Sequence, residues 1–127
     1  MVWYMRTIKT FEGFKKKDIE SLIQPIKDSF LDLEDIGLIV KARVQDNRIH
    51  IHIDRSTYDY YKGYDVIETL LFAIPYLESE YNLKLGKCEI FTDDNYNITF
   101  ILKNLIEMIK GSDKIESIVL RLRYENN

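Results

Sequence analysis

Residues 38–54 read LIVKARVQDNRIHIHID, and their alternation decides the fold. Apolar residues stand at even positions from Leu38 to Val44 and at odd positions from Ile49 to Ile53. Period-two alternation predicts two half-buried strands. Asp46 and Asn47 lie between the runs, and both tolerate the positive φ that a two-residue hairpin turn demands. Such a turn pairs Gln45 with Arg48, and therefore Val44 with Ile49, Arg43 with His50 and Lys41 with His52. In that register every apolar side chain takes one face and every polar one the other. A slip of one residue would mix them.

Upstream, Ile19, Leu22, Ile23, Ile26, Phe30 and Leu33 recur at helical spacing behind Asp18, a candidate N-cap. Pro25 removes the bond to the Ser21 carbonyl and predicts a kink or split there, and Gly37 closes the unit. Downstream, Asp65 and Glu68 have the spacing of a capping box. Val66, Ile67, Leu70, Leu71, Ile74, Leu77 and Tyr81 then form the longest amphipathic stripe, interrupted by Pro75. Residues 86–91 predict a third strand with Cys88 and Ile90 inward and Lys87 and Glu89 outward. Asp93 and Asp94 break it and read as caps of a helix whose stripe is Ile98, Ile101, Leu102, Leu105, Ile106 and Ile109, ended by Gly111. A strand over 97–102 is the alternative for its beginning. Ile118, Leu120, Leu122 and Tyr124 alternate in a last strand.

These elements predict an α+β, two-layer sandwich. Its sheet is mainly antiparallel and four-stranded, with hairpin 38–54 and strands near 86–91 and 116–124, and about three helices cover one face. The 127 residues suit a single domain over 1–127, with 1–14 an N-terminal arm or edge strand.

An apolar fraction of 46% with 13% aromatics speaks against disorder. Cys88, the one cysteine, has no internal partner, which suits a reducing, cytoplasmic compartment. No apolar run approaches the roughly 20 residues of a membrane span, and no signal-peptide pattern opens the chain. Eighteen basic against 21 acidic residues give a net charge of −3, so bulk attraction to nucleic acid is excluded and any such role needs local segregation of charge.

Parity supplies that segregation. The uncovered sheet face would carry Lys41, Arg43, Arg48, His50, His52, Lys87, Arg121 and Arg123 against Asp54, Glu89 and Glu125. Glu20, Asp28, Asp32, Glu78 and Glu80 place acid on the helical layer. The loop RSTYDYYKGY (55–64) adds Tyr58, Tyr60, Tyr61 and Tyr64, rings that cost little entropy to bury in a contact. These cations and tyrosines are the candidate binding residues. They predict a non-enzymatic binding protein that meets a protein partner, or a second copy of itself, through complementary charge. A single-stranded nucleic acid on the same cations and tyrosines is the alternative, and its affinity would fall steeply with salt. A merely solvated charged face is the plain reading against both.

No enzymatic constellation is complete. The five glycines are scattered, so no phosphate loop forms. His50-x-His52-x-Asp54 looks like part of the metallo-β-lactamase motif, but Arg55 stands where that motif continues with His. Ligands at i and i+2 of a straight strand also lie about 7 Å apart, too wide for one zinc ion. The sequence therefore indicates no metal, cofactor, small-molecule substrate or catalytic residue.

Lys9-Thr10-Phe11-Glu12-Gly13-Phe14, shortly after Met5, resembles the Lys-Thr-Phe-x-x-Phe openings of many small proteins of large tailed bacteriophages. In some of those the N-terminal peptide directs the protein into the capsid precursor, and a Leu-x-Glu processing site follows closely. Here Leu-x-Glu occurs only as Leu105-Ile106-Glu107, inside a predicted helix. The resemblance covers six residues and implies a phage-encoded protein acting in the host cell, or one associated with the virion.

Overall fold

The computed structural model describes residues 19–56 and 59–124. The arm or strand predicted for 1–14, the Asp18 cap, Tyr58 and Glu125 lie outside the described residues.

The hairpin forms as its alternation requires. Strands β1 (Ile39–Gln45) and β2 (Arg48–Asp54) pair antiparallel, with Val44 facing Ile49, Arg43 facing His50 and Lys41 facing His52. Asp46 and Asn47 take φ of 56° and 61°, the left-handed pair of a two-residue hairpin turn.

Before the hairpin, helices α1 (Ile23–Ser29) and α2 (Leu31–Asp35) are separated at Phe30. Pro25 stands third in α1, where its missing N–H has no intrahelical partner to lose. The helical turn at 19–21 thus ends at Leu22, so the proline splits the unit as its chemistry demands. Gly37 takes φ +99°, and its N–H and that of Leu38 donate to Glu34 and Leu33, a glycine-terminated helix end.

Helix α3 spans Tyr64–Tyr81 without interruption, so Pro75 does not break it. Pro75 is exposed, and the Leu71 carbonyl it leaves without an intrahelical donor belongs to an exposed residue too. Asp65 lies inside the first turn and makes no capping bond; Gly63 is the N-cap. Asn82, at φ 56°, ends the helix and turns the chain into β3 (Leu83–Thr92).

Residues Tyr96–Thr99 form a fifth strand, β4, and the helix predicted from Ile98 begins only at Leu102, as α4 (Leu102–Lys110). Asp93 and Asp94 cap no helix; with Thr92 and Asn95 they make the β3–β4 turn, where the Asn95 N–H donates to Thr92 Oγ1 at 3.0 Å. Strand β5 (Ile115–Tyr124) closes the described chain. The sheet is α+β in setting and wholly antiparallel between neighbours, in the order β1-β2-β5-β3-β4: five strands rather than four. Because β5 runs antiparallel to both β2 and β3, those two strands are parallel, and α3 crosses from one to the other over β5.

One sheet face carries Val40, Ile49, Ile51, Ile53, Ile118, Leu120, Leu122, Cys88 and Ile90. All are at most 2% exposed, and they pack with Phe30, Leu33, Leu70, Ile74, Leu77, Leu105 and Ile109 of the helical layer. Each fully buried aliphatic side chain of this kind contributes about 1.5–3 kcal/mol. The helices therefore sit on one side, and the polar parity of every strand is turned to the other.

Candidate functional site

The outer face is laid out by register. Across the strands, Arg43, His50 and Arg121 form one row; Lys41, His52, Val119, Glu89 and Ile98 a second; Gln45, Arg48, Arg123 and Lys84 a third; Asp54, Ser117, Phe91 and Tyr96 a fourth. The register of β3 shifts between Leu85 and Cys88, so Gly86 and Lys87 together oppose Arg121 and the bulge carries Lys87 beside the arginines. All eight cationic and histidine candidates therefore share this face.

They are not equivalent. Glu89, 9% exposed, accepts from the Arg121 guanidinium and from the Tyr96 hydroxyl. Burial alone would raise its carboxyl, but these two bonds outweigh burial and hold it below the ordinary carboxylate range. Arg121 is thus neutralised inside the fold and acts mainly as a structural cation. In the third row cations stand opposite one another by register, Arg48 opposite Arg123 and Arg123 opposite Lys84. Like charges directly opposed destabilise a sheet. A hollow of about 370 Å³ is lined by Arg48, Lys87, Arg121 and Arg123, with Phe100 at its edge.

Both histidines are held below their ordinary value. For His50 the causes are burial and then Arg121, Arg43, His52 and Arg48; for His52 burial is followed by Asp54, which opposes the shift, and by Arg43, Arg121 and Lys41. Both are therefore neutral at pH 7. The unfolded chain binds more protons than the folded one once pH drops toward 6.5, so stability falls as pH is lowered through that value. We expect the melting temperature to decline between about pH 7.5 and 5.5, where histidine titrates, and the His50→Gln/His52→Gln variant to flatten that decline. Parallel slopes in thermal melts of the two proteins would refute this account.

The described tyrosines of the loop, Tyr60, Tyr61 and Tyr64, do not gather on the face. Tyr61 belongs to the core: it is 6% exposed, its hydroxyl donates to the Ile53 carbonyl at 2.6 Å, and its backbone bridges Ile115. Burial raises its phenol far above the usual range. Tyr64 opens α3, on the helical side, and is 82% exposed. Tyr60, 37% exposed, lies under the Arg55 guanidinium, 4.5 Å from the ring centroid.

The aromatic residues that do reach this face come from β4 and the end of β3. Tyr96, Ile98 and Phe100 alternate outward from the edge of the sheet, 48%, 42% and 63% exposed, and Tyr96 packs on Phe91 with centroids 4.8 Å apart. The signal was present as the alternation Tyr96-Asn97-Ile98-Thr99-Phe100. Helical periodicity over 98–109 masked it.

Cys88 is fully buried, and burial pushes its thiol up to about 12. His50, His52 and Asp54 share one side of β2, and among the described residues no group of three His, Cys, Asp or Glu is placed to hold a metal ion. No described helix is long and apolar enough to cross a membrane. No family model, curated protein or solved structure matches the chain.

Proposed function

We propose that the chain is a non-enzymatic binding protein whose outer sheet face docks a protein partner presenting carboxylates. The observation that carries this reading is the exposed outward row Tyr96, Ile98 and Phe100, whose Phe100 end lines the same hollow as the cations Arg48, Lys87 and Arg123. A merely solvated face has no need of an apolar row. An apolar strip edged by charge is the makeup of a protein contact, in which complementary charge steers docking and fixes its register. The phage-like opening at Lys9–Phe14 supports a viral setting for that partner, in the host cell or the virion.

Phe91 and Tyr96 also favour a second reading, in which bases of a single strand stack at the sheet edge. Two features weigh against it. Tyr96 is committed to Glu89, and a carboxylate lies in the middle of the face.

The test is fluorescence anisotropy with three labelled probes: an acidic peptide carrying aromatic residues, single-stranded RNA and single-stranded DNA. Each is titrated at low and near-physiological salt. The probe variant is Arg48→Glu/Lys87→Glu, because reversing Arg121 would set two carboxylates against each other. We expect the peptide to bind at both salt concentrations, with affinity lowered about 10-fold or more by the reversal, an effect of at least about 1.4 kcal/mol. Binding of nucleic acid alone, collapsing with salt, would replace this reading by the second. Peptide affinity indifferent to the reversal would leave a solvated face.

A further inference from the structure

We propose that the surface this face docks is the acidic groove on the helical layer of a second copy, so that molecules join head to tail; the proposal rests on reading the outer face as a protein-contact surface. The groove, about 570 Å³, runs between α2 and the start of α3. Among the described residues four carboxylates line it, those of Asp28, Asp32, Asp65 and Glu68, and no lysine or arginine does. Its apolar lining is unusually open: Ile36 is 57%, Tyr64 82% and Phe72 68% exposed.

The two surfaces answer each other. Four carboxylates with three exposed apolar side chains answer a hollow lined by Arg48, Lys87 and Arg123, with Arg121 held by Glu89 and exposed Phe100 beside it. Arginine over an aromatic ring is a favourable contact, and the chain already makes it between Arg55 and Tyr60. Pairing like with like is opposed on both sides, because two hollows would set cation against cation and two grooves carboxylate against carboxylate. Only hollow against groove satisfies both. Since the two lie on opposite layers, the contact is heterologous, and it repeats from copy to copy until it closes as a ring or extends as a filament.

The experiment is sedimentation velocity on the full chain over a range of concentrations, at about 0.05 M and about 0.5 M salt, the latter cutting the screening length to about 4 Å. Two variants are compared with the parent: Arg48→Glu/Lys87→Glu reverses the hollow, and Asp28→Lys/Asp32→Lys reverses the groove. We expect the parent to grow in mass with concentration at low salt and to return to single chains at high salt. Each variant alone should lose at least about ten-fold in association constant. An equimolar mixture of the two variants should recover assembly, because each then offers what the other lacks.

A parent that stays a single chain at low salt overturns the proposal. So does self-association that survives reversal of the groove. If the parent is a single chain and groove reversal shifts the emission of Trp3, the one tryptophan, the groove belongs to the chain's own N-terminal residues and the proposal again fails. In each failure the acidic-peptide titration decides the outer-face reading separately, since it needs no second copy.

Discussion

Replacing Gly63 by alanine is expected to lower stability by about 3 kcal/mol, the upper end of the usual cost of overpacking, or more. Gly63 is buried at the entrance of α3, and its φ of −56° is open to any residue, so backbone freedom is not the reason for glycine. Space is. A Cβ there would stand 1.7 Å from the Ile109 carbonyl oxygen and 2.5 Å from its carbon, so a backbone segment must move to admit it. The segment that would move is tied in: the Gly63 N–H donates to Ser112 at 2.9 Å, and the Gly63 carbonyl receives the N–H of Val66 and Ile67. Forcing the two apart opens the contact between α3 and the end of α4 and disturbs Ile109, which is fully buried. Gly111→Ala is the control, since a Cβ there meets nothing within 4 Å, and it should stay within about 0.5 kcal/mol of the parent. Urea titration of the three proteins measures both effects. Equal midpoints for Gly63→Ala and the parent would show that the helices are not packed this closely.

Removing the carboxylate at Glu89 is the second large effect. Breaking a fully buried charge pair costs about 3–5 kcal/mol, and the side chains here retain 11% and 24% exposure, so about 2–3 kcal/mol is expected for Glu89→Ala. The loss has two parts. Arg121 keeps its charge beside Arg43 and His50 without its counter-ion, and Tyr96 loses the acceptor that holds its ring against the sheet. Hydrogen exchange should therefore quicken most in Tyr96–Thr99. The pH dependence supplies a separate check. Because the folded carboxyl sits below its ordinary 4.5, its stabilisation is complete above that value and fades as pH falls through the folded one. That acid-side loss should be absent from Glu89→Ala, and it is distinct from the histidine decline between about pH 7.5 and 5.5. A variant as resistant to urea as the parent would mean that the pair contributes nothing net.

How much of this could be read from the chain depended on how many independent signals agreed. The hairpin had three, namely alternation, turn residues and register, and its pairing stands residue for residue. Gly37 and the split around Pro25 likewise followed from local chemistry. Pro75 misled because a proline's effect depends on where the orphaned carbonyl points, and that is a tertiary fact. Strand β4 ranks in the sequence only as the alternative over 97–102, because Ile98 and Ile101 satisfy a helical stripe as readily as Ile98 satisfies alternation, and four residues are too few for periodicity to arbitrate. The ambiguity matters most at the site, since the exposed row comes from that strand and its end. Parity placed every candidate cation on the correct face, yet it could not show that Arg121 is already spent on Glu89, because the partner stands 32 residues away in the sequence. Tyr61 and Tyr64 are three residues apart and end in the core and on the helical surface, a divergence that composition alone does not reveal.

The position of β5 bears on how the molecule comes into being. Chain order makes it the last described strand, but it lies in the middle of the sheet, between β2 and β3. As the polypeptide is synthesised, β1–β2 and β3–β4 emerge as two hairpins that share no ladder, each presenting a flank meant for a strand not yet made. Only when Ile115–Tyr124 arrives can the halves join, through contacts distant in sequence and therefore slow to find. Until then those flanks can pair with strands of other nascent chains. Each new molecule thus passes through an interval of exposure whose length is set by the time taken to deliver β5.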